Sequence, residues 1–172
     1  MNACIRRLAD PTETEIAQLS AVLIDCVEGG ASVSFMLPLS AEKSLTFWRR
    51  VAADVRRGTR ILLVAEDARG IAGTVQVALE MPENQLHRGD LAKMLVHRRL
   101  RNQGVGAALL RAAEDAAREA GLSLLVLDTV TGGEGERLYQ RLGWCRVGEI
   151  PDFALWPGGG FCSTTYYYRK LA

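Results

Sequence analysis

The chain is 172 residues long and 48% hydrophobic, a size that buries a core without disulfides or metal. Its formal charge of +1 argues against nucleic acid as the principal partner, because a face that neutralises many phosphates leaves a larger basic excess. No apolar run approaches the roughly 18 to 20 residues of a membrane span, and the first residues lack the apolar core of a signal peptide, so a cytoplasmic protein with no membrane partner is expected.

Residues 5–8 read as a first strand. Asp10-Pro11-Thr12-Glu13 then offers an N-cap at Asp10, a proline at the first helical position and an acidic residue three after the cap. The predicted helix runs through Ile16, Leu19, Val22, Leu23 and Val27, and residues 29–36 break it. Ser40 starts a second helix through Leu45, Phe47, Trp48, Val51 and Val55, ending at Gly58. Residues 60–66 and 71–79 pair as a hairpin across the turn-rich residues 67–70. Residues 90–96 extend the sheet and lead into a basic connection, His97-Arg98-Arg99-Leu100. A long helix follows from Val105 through Leu109, Ala112, Ala113 and Ala116, and Gly121 ends it. Residues 122–128 are apolar on both faces and read as a central strand. A short helix at 134–142 and strands at 144–149 and 163–170 complete the chain. No repeat or linker divides it, so residues 1–172 are expected to form one domain. Cys4, Cys26, Cys145 and Cys162 match no common zinc spacing and read as small buried apolar residues, so no metal is assigned.

Arg101-Asn102-Gln103-Gly104-Val105-Gly106 carries the strongest functional signal. Gly104 and Gly106 let the backbone turn tightly and aim amide hydrogens at anionic oxygens. The helix that follows adds its positive end. An ordinary strand-to-helix turn with a basic surface is the plain alternative. A dinucleotide fingerprint would need a third glycine near Leu109, and a P-loop would need Gly-Lys-Ser/Thr; neither is present.

What remains, Arg-x-x-Gly-x-Gly after a strand, resembles the coenzyme A motif of the GNAT superfamily of N-acetyltransferases. The element order (strand, two helices, three strands, helix, strand, helix, two strands) is the order of that fold. The resemblance implies an α/β architecture, a mixed and mostly antiparallel sheet of about seven strands with helices on both faces. Arg137-Leu138-Tyr139-Gln140-Arg141-Leu142-Gly143-Trp144 is similar to the Leu-Tyr-x-x-x-Gly-Phe segment of the same superfamily. Residues 29–36, Leu127-Asp128-Thr129 and residues 146–151 are similar to segments of tabtoxin-resistance acetyltransferases, which acetylate an amine on a small amino-acid-like toxin. Two departures stand out. The acidic position before the glycine turn is glutamate in that group and Asp90 here, and the asparagine often placed before the Leu-Tyr segment falls near Gly132.

The resemblance implies acetyl-CoA as cosubstrate, held by Leu95, Val96, His97, Arg101, Asn102, Gln103, Gly104, Val105 and Gly106, and a small-molecule amine near Gly30, Ser32, Phe35, Asp90 and Asp128. Acceptor amines arrive mostly protonated, since they titrate near about 8 to 10.4, and only the neutral amine attacks a thioester. Asp90 and Asp128, read as the ends of neighbouring strands, can hold the ammonium and accept its proton, directly or through water. Two carboxylates facing one pocket also raise each other's proton affinity. A turn or helix-cap role for Asp128 and a solvated strand end for Asp90 are the simpler readings. Backbone amides around Leu95 and Val96 are candidate oxyanion donors. Tyr139 sits where the family places the acid that protonates the departing thiolate. Arg98 and Arg99 fit either surface charge or ligand contacts. The expected function is an acetyl-CoA-dependent N-acetyltransferase that acts by direct attack of a primary amine on a small molecule, amino-acid-like or toxin- or antibiotic-like. The alternatives are a protein N-terminal or lysine acetyltransferase and a coenzyme A-binding module without activity. A homodimer is expected from the family.

Overall fold

The computed structural model describes residues 3–171; Met1, Asn2 and Ala172 lie outside the described residues, and with them the first part of the N-terminal reading. Seven strands form one sheet: β1 (Cys4–Arg7), β2 (Arg60–Asp67), β3 (Gly70–Ala78), β4 (Arg88–Val96), β5 (Leu124–Val130), β6 (Cys145–Leu155) and β7 (Phe161–Lys170). Their order is β1-β2-β3-β4-β5-β7-β6. Only β4 and β5 run parallel; every other neighbouring pair is antiparallel. The helices are α1 (Glu13–Glu28), α2 (Ala41–Arg56), α3 (Val105–Glu119) and α4 (Glu134–Arg141). This is the mixed α/β sheet with helices on both faces that the element order implies.

The two-residue period of the strands distributes the core. Leu62 and Val64 of β2 pack with Ile16, Leu19, Leu23, Trp48 and Val51 of α1 and α2. Ile61, Leu63 and Ala65 point the other way and meet Leu109, Leu110 and Ala113 of α3. A strand buried on both sides must be apolar throughout, which is why β2 reads as a continuous hydrophobic run.

The first helix starts two residues later than the cap pattern suggests. Thr12 Oγ1 accepts the Glu15 N–H at 3.2 Å, and the Glu15 carboxylate accepts the Thr12 N–H at 2.8 Å, a reciprocal capping box. Asp10 and Thr12 each have a glutamate three residues on. Glu13 turns outward to Arg49 at 2.9 Å, however, and Asp10 pairs with Arg56 at 2.6 Å, leaving Thr12 as the cap. At α2 the expected cap holds: Ser40 Oγ accepts the Lys43 N–H at 3.2 Å.

Two strand boundaries also differ, and both bear on function. β5 begins at Leu124 and continues to Val130, so Asp128 lies inside the strand; Leu125 and Leu127 are buried while Asp128 is exposed on the opposite face. The strand is therefore one-faced where the sequence suggests burial on both sides. The β6–β7 hairpin extends to Leu155 and Phe161, well beyond residue 149. Pro151 and Asp152 lie within β6, where a register shift between Ile150 and Ala154 absorbs them, with Asp152 at φ +52°.

β4 and β5 are paired only at Arg88–Leu124, Gly89–Leu125 and Asp90–Val126. Beyond these, β4 stays with β3 to Val96 and β5 stays with β7 to Val130, so the sheet parts between them. α3 begins just after β4, and α4 just after β5.

Candidate active site

Three side chains tie back the turn that joins β4 to α3. Arg98 is bound to Asp25 through both its guanidinium and its main-chain N–H, the latter at 2.9 Å. Arg99 reaches Asp67 at 3.1 Å and the carbonyls of Gly70 and Ile71. Arg101 Nε donates to the Val96 carbonyl at 3.0 Å, with Nη2 3.9 Å from Cys26 Sγ. The basic cluster thus braces the turn. Asn102 and Gly104 take positive φ, at +60° and +79°, and α3 starts at Val105 with no side-chain cap and no acidic residue in its first turn. α1 and α2 satisfy their first amides with Thr12 and Ser40; α3 leaves its own open. A Cβ on Gly104 would meet nothing within 4 Å, so glycine serves the left-handed φ and open space lies beside the free amides. At Gly106 a Cβ would come within 3.2 Å of Leu138, a close approach between α3 and α4. Open amides, a helix N-terminus and a parted sheet above them fit a pyrophosphate and its extended arm.

The other residues expected at this end differ in what they can offer. Asn102 and Gln103 are exposed, and Gln103 Nε2 donates to the Arg99 carbonyl at 3.0 Å. Leu95 is buried opposite Thr74, and Val96 lies opposite Gly73. His97 gives its N–H to the Ala72 carbonyl at 2.8 Å; its Nδ1 accepts from Arg99 at 3.1 Å and its Nε2 lies 3.5 Å from Asp25. Burial pushes the imidazole below its ordinary range, against the opposing pull of Asp25.

The two acids sit on neighbouring strands, within them rather than at their ends. Asp90 is opposite Val126, and Asp128 follows two residues later, so alternation puts both on the α1–α2 face. Asp90 is ion-paired with Arg88, which Gln85 also holds at 2.8 Å. Asp128 accepts a hydrogen bond from Thr164 Oγ1 at 2.8 Å. Tyr166, paired with Asp128 across β5 and β7, has its phenol pushed up by burial and then by the charges of Asp128 and Asp90. Tyr139 comes from α4, 4% exposed, with Trp144 and Tyr167 ring centroids at 5.7 and 6.2 Å. Burial pushes its phenol far above its ordinary value, and the Asp128 charge adds to the shift. It therefore holds its proton at neutral pH.

The loop at residues 29–36 closes over this face. Gly30 takes φ +88°. Ser32 Oγ donates to the Leu155 carbonyl at 2.8 Å, Leu37 N–H donates to the Pro157 carbonyl at 2.9 Å, and Phe35 meets Phe47 edge-on at 5.2 Å. The loop is thereby fastened to the β6–β7 hairpin.

Sequence reasoning assigns no site role to Lys93, Thr164 or Tyr166. Lys93 lies in β4 at φ +49°, where the β3–β4 register shifts between Thr74 and Gln76. Its Nζ is 3.1 Å from Ser34 Oγ and 5.8 Å from the Phe47 ring. Its sequence signal is slight: the one charge in Leu91-Ala92-Lys93-Met94-Leu95-Val96. The cysteines divide, with Cys26 and Cys162 buried as expected and Cys4 and Cys145 exposed. Among the described residues no three His, Cys, Asp or Glu side chains gather as metal ligands, and no helix is long and apolar enough to cross a membrane.

A family model described as an acetyltransferase (GNAT) domain matches residues 58–146, just over half of the chain. That interval includes the parted strands, the glycine turn and α4. Among solved structures, the chain is similar to yncA from Salmonella typhimurium with its cofactor acetyl-CoA, at TM-score 0.80 and 18% identity, over 100% of this chain and 95% of that one. It is similar also to a phosphinothricin acetyltransferase from Sinorhizobium meliloti in complex with acetyl-CoA, at TM-score 0.79 and 17% identity, covering 100% and 90%. A ribosomal-protein-alanine N-acetyltransferase from Brucella melitensis superposes at TM-score 0.81 with 22% identity, covering 98% and 99%. These likenesses concern the fold; together with the family match they establish that the chain belongs to the GNAT family of acetyltransferases.

Proposed function

We propose that the protein is a cytoplasmic N-acetyltransferase that moves the acetyl group of acetyl-CoA to a primary amine on a small molecule. The observation that carries this reading is the parting of β4 and β5, with Asp128 on one of the parted strands and α3 presenting uncapped amides at their end. Acetyl-CoA supplies an acetyl thioester, with its pyrophosphate on the amides of the turn at 101–106. Asp90 and Asp128 hold the incoming ammonium. Asp128 takes its proton, because its hydrogen-bond partner is a neutral hydroxyl whereas Asp90 is already paired with Arg88. The N–C bond forms as the C–S bond breaks, main-chain amides near Leu95 and Val96 face the charge developing on the carbonyl oxygen, and Tyr139 gives its phenol proton to the sulfur. The proton gained by Asp128 and the one lost by Tyr139 balance through solvent.

A small acceptor is favoured because the loop at 29–36, bound to the hairpin through Ser32 and Leu37, narrows the approach to Asp128. The likeness of that loop to tabtoxin-resistance enzymes supports an amino-acid-like toxin or antibiotic as one such acceptor. We also propose a homodimer, formed on the exposed apolar side chains of the β6–β7 hairpin.

Calorimetry with acetyl-CoA and a thiol-release screen over amino acids, polyamines, amine antibiotics and peptides test the reading. Asp128→Asn is expected to cut kcat by about 100-fold or more while leaving acetyl-CoA affinity within about threefold. A clear peptide preference in the screen would replace the small-amine reading with a protein acetyltransferase.

A further inference from the structure

Around the acceptor face, most charges already have partners. Asp90 is held by Arg88, Asp54 by Arg57 and Arg60, Asp25 by Arg98, and Asp67 by Arg99. Lys93 and Asp128 stand apart. Among the described residues neither forms an ion pair within 4.0 Å; Lys93 meets the neutral hydroxyl of Ser34 and Asp128 the neutral hydroxyl of Thr164. They lie on adjacent strands beyond the point where β4 and β5 part, close enough for the Asp128 charge to act on the lysine. Half-burial of an ammonium is costly unless something anionic completes it. The positive φ of Lys93 adds to that cost, and among the described residues only the neutral Ser34 hydroxyl and the Phe47 ring offset it, with no carboxylate in an ion pair.

We infer that Lys93 determines specificity by binding a carboxylate of the acceptor, so that the substrate is an amine that also carries a carboxylate, of the amino-acid class. This rests on the N-acetyltransferase reading above. A ligand with one ammonium and one carboxylate completes both unpaired groups at once, the ammonium on Asp128 and the carboxylate on Lys93. A polyamine or simple alkylamine would satisfy Asp128 and meet repulsion from Lys93. The Phe47 ring beside the lysine, met edge-on by Phe35, leaves an apolar wall for the remainder of the substrate.

The test uses matched acceptors: L-amino acids, their α-carboxamides and the corresponding decarboxylated amines. Each is assayed by thiol release and, without acetyl-CoA, by shift of the melting temperature. The wild-type protein is expected to favour the carboxylate over its carboxamide by about ten- to hundredfold in kcat/KM, mainly through KM. Only the carboxylates are expected to raise the melting temperature. In Lys93→Gln that preference ratio falls to near one, and in Lys93→Arg it returns to within several-fold of wild type. Amides or simple amines acetylated as well as the amino acids would overturn the inference while leaving the N-acetyltransferase reading intact. A Lys93→Gln variant that keeps the wild-type ratio while losing overall activity would make the lysine structural, and would also overturn it. Acetyl-CoA that fails to bind, or binding with no small amine acetylated, would end both.

Discussion

Tyr139 shows how a fold sets the chemistry of a single group. Its ring is enclosed by Trp144 and Tyr167, and its phenol loses most of its hydration. Burial, then the nearby Asp128 charge, pushes its proton affinity above the usual value of about 10. Raising the pH therefore deprotonates the acceptor ammonium before it removes the proton that the leaving sulfur needs. The expected profile of kcat/KM holds level below the pKa of the acceptor amine and falls above it, as the ammonium that Asp90 and Asp128 hold is lost, with no separate fall from Tyr139 below about pH 10. Tyr139→Phe is expected to lower kcat by about 100-fold at every pH on that plateau; an unchanged kcat would remove Tyr139 as the acid. Tyr139 and Asp128 could be found from local motifs, because the residues that identify them are neighbours in the chain. Lys93 could not. It is the one charge in the apolar run at 91–96, and the role proposed for it rests on a register shift and on Ser34, 59 residues away. The basic cluster stays open in the sequence for the same reason: Asp25 and Asp67, which pair with Arg98 and Arg99, lie 73 and 32 residues distant.

Elements were legible where periodicity runs long, as in α1, α3 and the β2–β3 hairpin, since periods of two and 3.6 are local properties. Their ends were less so, because an end is set by whichever partner completes the hydrogen bonds. The start of α1 is the clearest case. Two overlapping cap patterns compete at Asp10 and Thr12, and only the path of Glu13 toward Arg49 and of Glu15 back to Thr12 decides between them. Thr12→Ala is expected to destabilise the protein by about 1 kcal/mol in urea unfolding. Asp10→Ala removes one exposed ion pair with Arg56 and is expected to cost about 0.5 kcal/mol or less. The reverse ranking would return the cap to Asp10. β5 carries the same lesson into the site: its continuation to Val130 depends on pairing with Thr164 and Thr165 of β7, and it places Asp128 on a strand face instead of in a turn.

Across the whole molecule the two edges of the sheet are built differently. β1 is four residues long, with Arg6 bound to Glu15 and Glu66, a short charged edge that resists further pairing. β6 at the other edge has eleven residues, and the hairpin it forms exposes Val147, Ile150, Phe153, Leu155 and Phe161. Val147 and Phe161 are 66% and 68% exposed, unusual for large apolar residues grouped on one arm. A long apolar edge left in water invites aggregation, and a closed twofold pairing removes it. The dimer proposed on this arm is expected to appear by light scattering at micromolar concentration. Val147→Asp and Phe161→Asp, each placing a charge on this apolar arm, are expected to shift the protein to monomer while acetyl-CoA affinity stays unchanged, since β5 and β7 stand between β6 and the strand β4 that leads into the glycine turn. Wild-type protein that remains monomeric as concentration rises would sink the dimer. Loss of acetyl-CoA binding in both variants would mean that the hairpin supports the fold of the site directly, through its bonds from Ser32 and Leu37, and not through a second copy.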